Sequence, residues 1–139
     1  MNGLEPTEVE NRRAARERAL ELLYEAEIKD VTVGELLAEQ PIAPAELAVE
    51  LVRGVEARRV RIDELLRRLV APKWSLDRLA AVDRSILRLG SYELLAVPDR
   101  SAALVINEAV VLARRFGTDD SPRFVNGVLS SVASEVRPE

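Results

Sequence analysis

Apolar residues return every three or four positions through most of the chain, the period of an amphipathic helix. From Asn11, placed to cap a helix start, to about Lys29, the residues Ala15, Ala19, Leu22, Leu23 and Ala26 form one stripe. Arg13, Arg16, Leu20 and Tyr24 follow an adjacent edge of the same helix. Thr32 or Val33 opens a short helix through GELLAEQ, which Pro41 ends. Pro44 suits the first turn of the next helix, and the pattern carries that helix to Val70 on Leu47, Leu51, Val55, Ile62, Leu65, Leu66 and Leu69. Ala71 to Trp74 break the period and divide the chain into halves, with Trp74 expected as a packing anchor at the junction. Ser75 is placed to cap a helix that Pro98 ends, with Leu76, Leu79, Val82, Ile86, Leu89 and Leu94 as its stripe. Gly90 in its middle costs about 1 kcal/mol relative to alanine, which points to close approach of another helix. Ser101 caps a further helix closed by Gly117. Ser121 and Pro122 read as cap and first position of the last helix, which ends near Pro138. No segment alternates as a strand should. The expectation is an all-α fold of six to seven helices in two packed halves, about 11–71 and 75–137. Residues 11–139 would form one domain behind a flexible acidic tail over residues 1–10.

Composition narrows the chemistry. With 139 residues, 47% apolar and 32% charged, the chain can bury a core, and with 4% aromatics that core must come from Leu, Val and Ala. There is no cysteine and no histidine, which removes a thiol nucleophile, the commonest base near neutral pH and the commonest zinc ligand. No glycine-rich phosphate loop is present. Asp83, Glu93 and Glu108 sit in helical patterns without a partner at a diagnostic spacing. These absences speak against an enzyme and a cofactor without excluding them, and they leave an oxygen-only magnesium site open, although no acidic cluster has ligand-like spacing. No apolar run reaches about 18 residues, and the start MNGLEPTEVE is not a secretory signal, so the cytoplasm is the expected location.

Charge is informative through its distribution. The net charge is −4, so nothing global predicts a polyanion partner. Locally, Glu5, Glu8 and Glu10 precede a run holding Arg12, Arg13, Arg16 and Arg18. Arginines in a first helical turn oppose the helix dipole, and such a local conflict tends to mark function. They could grip phosphates from one helix edge, with Tyr24 further along to stack a base. A solvated helix start and a half-buried Tyr24 explain the same residues. A second cluster lies in FGTDDSPRFVNGVLSSV. Arg123 and Phe124 stand at a helix start, Asp119 and Asp120 offer acceptors to base amino groups, and Phe124 could equally be core. Arg58, Arg59, Arg61, Arg67 and Arg68 read as a solvated face beside Glu56, Asp63 and Glu64.

Four runs, in this order, carry a resemblance: RRAARERALELLY at 12–24, VDRSILRLGSYEL at 82–94, VINEAVVLARRFG at 105–117 and RFVNGVL at 123–129. Over nearly its whole length the chain resembles the NusB family of bacterial transcription antitermination factors. The resemblance implies two three-helix sub-bundles and a non-enzymatic adaptor. It implies pairing with NusE, a small ribosomal subunit protein, and binding of single-stranded boxA RNA in nascent ribosomal RNA transcripts, within an RNA polymerase antitermination complex. It implies RNA contacts at Arg12, Arg13, Arg16, Tyr24, Asp120, Arg123 and Phe124, and NusE contacts around Asp83 and Glu93. It leaves both a monomer and a homodimer open. A rival reading is a purely structural protein-binding adaptor. Another is the accessory domain of a ribosomal RNA cytosine methyltransferase, against which stands the lack of a cofactor loop and a cysteine. The acidic prefix departs from relatives that begin almost at the basic run, and it is expected to compete with RNA for the arginines.

Overall fold

A computed structural model describes residues 7–138, and among them the chain forms seven α-helices and one short 3-10 turn, with no strand. The first helix, α1 (Glu8–Lys29), starts earlier than Asn11 because Thr7 and Glu10 form a capping box. The Thr7 hydroxyl accepts from the Glu10 amide at 3.1 Å, and the Thr7 amide donates to the Glu10 carboxylate at 2.9 Å. The first turn therefore holds Glu8 and Glu10, and the expected clash between arginine and the helix dipole is absent. Residues 8–10 of the expected tail are helical, while residues 1–6 lie outside the described residues. Asp30 closes α1 in the left-handed region, at φ 55°. A second capping box, Thr32 with Glu35, opens α2 (Val33–Glu39).

The long helix expected over 44–70 is two helices, α3 (Glu46–Ala57) and α4 (Arg59–Val70), with Pro44 just before the first. The break is at Arg58, whose backbone leaves helical geometry at φ −110°, ψ 15° and whose guanidinium lies 5.9 Å from the centre of the Tyr92 ring. Its cause is packing: α3 lies against α1, whereas α4 lies against α7 and the 3-10 turn, and a straight helix could not turn its apolar stripe to both. The next expected helix is also interrupted. A 3-10 turn over Leu76–Arg78 precedes α5 (Ala81–Ala96), and neither start has a side-chain cap. Arg84 braces the connection between them, donating to the carbonyls of Leu79 at 2.7 Å and Leu76 at 3.1 Å.

The helices α6 (Ala102–Phe116) and α7 (Ser121–Val136) complete the fold. Ser101 caps α6 as expected, accepting from the Leu104 amide at 3.1 Å. The cap of α7 is shifted by one: Asp120 takes the cap position and Ser121 the first helical one. The Ser121 hydroxyl instead accepts from the Thr118 amide at 2.9 Å, bracing the loop.

Two bundles result, α1 with α2 and α3, and α6 with α7, and both pack on α5. Every residue of α5 from Ser85 to Leu94 is buried. A helix enclosed on all sides needs small residues where neighbours come closest. A Cβ on Gly90 would stand 2.6 Å from Leu129 of α7, the close approach its position implied. The enclosure also buries charge. Arg88 of α5 holds Asp63 of α4 through two bonds, at 2.9 and 3.1 Å, and Arg59 reaches the same carboxylate at 2.9 Å. Burial raises the Asp63 pKa, but Arg88 and then Arg59 outweigh it, and the carboxyl titrates below its ordinary value.

Candidate nucleic-acid interface

The arginines of α1 separate into different environments within four residues. Arg12 pairs with Glu8 at 2.7 Å one turn earlier, in the open. Arg13 reaches across to α6, where its Nε and Nη2 each lie 3.0 Å from the carboxylate of Glu108. Its side chain keeps 52% of its exposure although Glu108 is buried. The bond to Glu108 raises the Arg13 pKa, so this cation is charged at any working pH. Arg16 is different. Its side chain is 5% exposed and grips Glu93 of α5 through two bonds, at 3.0 and 2.8 Å.

Two expected contact residues are thereby withdrawn from the surface. Arg16 cannot meet phosphate, and Glu93 cannot meet a protein partner, because each is buried against the other. Arg100 adds a bond to Glu93 at 2.8 Å. The cause is helical register: Arg16 stands four residues before Leu20 and seven before Leu23, both buried, so it belongs to the core-facing edge. That signal is present in the sequence, but a run of arginines draws attention to charge. Glu108 is the neighbour of Arg13 that sequence reasoning missed, since nothing local in the sequence sets α6 opposite α1.

Tyr24 lies further along α1, on the edge of Arg13 and Glu17, and is 39% exposed. Arg115, at the end of α6, pairs with Glu17. Glu108 and Arg115 are seven residues apart, about 10 Å along a helix axis. Thus α6 runs beside the exposed edge of α1 and delivers the chain into the 117–120 loop and the start of α7. There Asp120 and Arg123 are exposed and Phe124 is half-buried. The Phe124 ring meets Trp74 edge to face, centroids 5.7 Å apart. Trp74, expected as a packing anchor at the junction with an interface role as the alternative, packs on Phe124 but stays 50% exposed. Between them opens a cavity of about 240 Å³ lined also by Leu79, Asp83, Asp120 and Ser121. Asp83, half-buried in its wall, keeps one carboxylate oxygen without a partner among the described residues.

A cationic edge and an aromatic corner joined by one helix suit an extended anionic chain with flat bases. The NusB family model matches residues 13–134. The chain belongs to the NusB family. Among its relatives, the transcription antitermination protein NusB of Beutenbergia cavernae is 49% identical over 135 residues, covering 87% of this chain and 88% of that one. NusB of Bacillus subtilis is 40% identical over 129 residues, covering 90% and 96%. The solved structure of NusB from T. maritima superposes with a TM-score of 0.81 at 36% identity, over 91% of this chain and 93% of that one. A crystal structure of the antitermination factors NusB and NusE in complex with double-stranded RNA matches with a TM-score of 0.76 at 29% identity, over 89% and 96%. The all-α architecture expected from the sequence is thus that of NusB structures. Among the described residues no helix is long and apolar enough to cross a membrane.

Proposed function

We propose that this protein is an RNA-binding transcription antitermination factor of the bacterial cytoplasm. It pairs with NusE and holds single-stranded boxA RNA of nascent ribosomal RNA transcripts, as a non-enzymatic part of an RNA polymerase antitermination complex. The observation that carries this reading is likeness over most of the chain to a NusB solved together with NusE and double-stranded RNA; the exposed arginines and the aromatic corner of this chain have the chemistry to hold a single strand.

Arg12, Arg13 and Arg123 engage phosphates, each releasing counterions. Phe124 stacks a base and Asp120 accepts from a base amino group. Tyr24 marks the far edge of the RNA surface, and Asp83 faces the protein partner. Arg16 and Glu93 act beneath this surface, fixing α1 to α5 so that Arg13 and Tyr24 keep their places. The bonds from Arg13 to Glu108 must loosen for phosphate to take their place, so the free protein binds RNA modestly.

The test is a titration of labelled boxA-like RNA followed by fluorescence anisotropy, with and without NusE. Salt-sensitive binding that tightens with NusE is expected, weakened by Arg13→Ala and by Phe124→Ala. Wild-type affinity in both variants would reject the site. Binding to NusE without any RNA contact would reduce the protein to a structural adaptor.

A further inference from the structure

We propose that Trp74 is a second base-stacking platform, which extends the RNA path from Phe124 onto the turn between α4 and the 3-10 helix. The proposal rests on the RNA reading above and adds to it a subsite for one unpaired nucleotide.

Trp74 is the only tryptophan of the chain. Its backbone is fixed, the amide donating to the Val70 carbonyl at 3.0 Å. Its indole is nevertheless left half in water, although apolar Leu79 and Phe124 stand beside it. Trp74 borders two clefts: the cavity of about 240 Å³ shared with Phe124, and one of about 390 Å³ lined by Pro72, Lys73, Ser75 and Arg78. A side chain serving packing alone would fill one of them.

Cations and an acid both border the ring. Lys73, whose ammonium lies 5.9 Å from the indole centre, and Arg78 are exposed and form no ion pair among the described residues. The nearest acid in sequence, Asp77, is engaged by Arg67 at 3.5 Å. These cations suit a phosphodiester backbone at the rim. The wall of the cavity shared with Phe124 carries Arg78 as well as Asp120, whose carboxylate accepts N–H groups and repels phosphate. A nucleotide therefore enters base first, with its backbone on Lys73 and Arg78, and a base bearing an amino group is preferred to uracil. A single strand leaving Phe124 meets Trp74 next, because the two rings are already in contact. Stacking on an aromatic face is worth about 1–3 kcal/mol per base, a range of about 5- to 150-fold in affinity.

The lone tryptophan supplies a direct readout in the unmodified protein. Full-length protein is titrated with labelled single-stranded boxA-like RNA while anisotropy and tryptophan emission are followed together, in the presence and absence of NusE. The expected result is a change in Trp74 emission that saturates with the anisotropy. Trp74→Ala should weaken RNA binding about 5-fold or more, Trp74→Phe should restore most of it, and both should melt cooperatively. RNA binding that depends on Arg13 but leaves Trp74 emission and the Trp74→Ala affinity unchanged would overturn this subsite while leaving the RNA reading intact. A loss in Trp74→Ala of affinity for NusE alone would overturn it in favour of a protein contact. No RNA binding in any arm would remove both proposals.

Discussion

Arg13 and Arg16 stand three residues apart on one helix, and the fold assigns them opposite duties. Arg16→Ala leaves Glu93 buried with Arg100 as its remaining side-chain partner, and breaking such a pair costs about 3 kcal/mol. A clear fall in Tm is expected for this variant, read by circular dichroism. Arg13→Ala removes a half-exposed cation but leaves buried Glu108 with only Arg16, at 3.8 Å, so a smaller fall in Tm is expected. It should also lower RNA affinity and reduce the slope of log affinity against log salt by about 0.7, one phosphate contact to a single strand. Equal effects of the two substitutions on Tm and on the salt slope would contradict the division. Glu8 makes a further residue-scale case, because its carboxylate occupies Arg12. Glu8→Gln should tighten RNA binding at low salt and do nothing at high salt, where the pair is screened. This substitution tests competition by the acidic prefix more cleanly than deleting residues 1–10, which would also remove the Thr7 cap.

At the scale of the element, α5 concentrates the consequences of burial. Gly90→Ala gains helix propensity, about 1 kcal/mol, but drives a methyl into buried Leu129. Overpacking costs about 1–3 kcal/mol, so a net loss of Tm is expected, whereas Gly127→Ala, with nothing near its added carbon, should stabilise. Asp63 ties α4 to Arg88 of α5. Its pKa is lowered in the folded state, so its contribution is complete above the unfolded value of about 3.9 and disappears as pH falls through the lower folded value. Asp63→Asn should therefore lower Tm at neutral pH and flatten the acid limb of the Tm–pH curve below about pH 4. The helices themselves were legible because the spacing of Leu, Val and Ala is local information, as were the Ser101 cap and the close approach at Gly90. The breaks at Arg58 and at Leu79–Ala80 were not. Neither contains a glycine or proline, and each exists because distant helices demand a change of direction. The site was legible in its residue types, yet the burial of Arg16 with Glu93 and the exposure of Trp74 depend on which helices lie opposite.

For the whole molecule, two bundles share α5, and we propose that this makes them one thermodynamic unit, so that the helical domain from α1 to α7 unfolds as a whole. Calorimetry should show one transition whose van't Hoff and calorimetric enthalpies agree; two transitions would mean the bundles are separable. The net charge of −4 fits a binder of a short strand: one cationic edge is enough, and the acidic remainder discourages indiscriminate adhesion to nucleic acid. Exposed Ile42 and Val60 lie outside the proposed RNA path. Light scattering over a concentration series, with and without RNA, would show whether self-association exists and whether it competes with the ligand.

Arg137 closes the far end of α5. Its guanidinium donates to the carbonyls of Leu94, Glu93 and Val97, at 2.9, 3.1 and 2.7 Å, and to that of Arg100. Leu94 and Arg137 are 43 residues apart. During translation at about 5–20 residues per second, the end of the central helix must therefore wait several seconds for its latch to be synthesised. Until then the carbonyls at its tip are open to water or to a chaperone, and this end of the core is sealed only after the whole of α7 has been made.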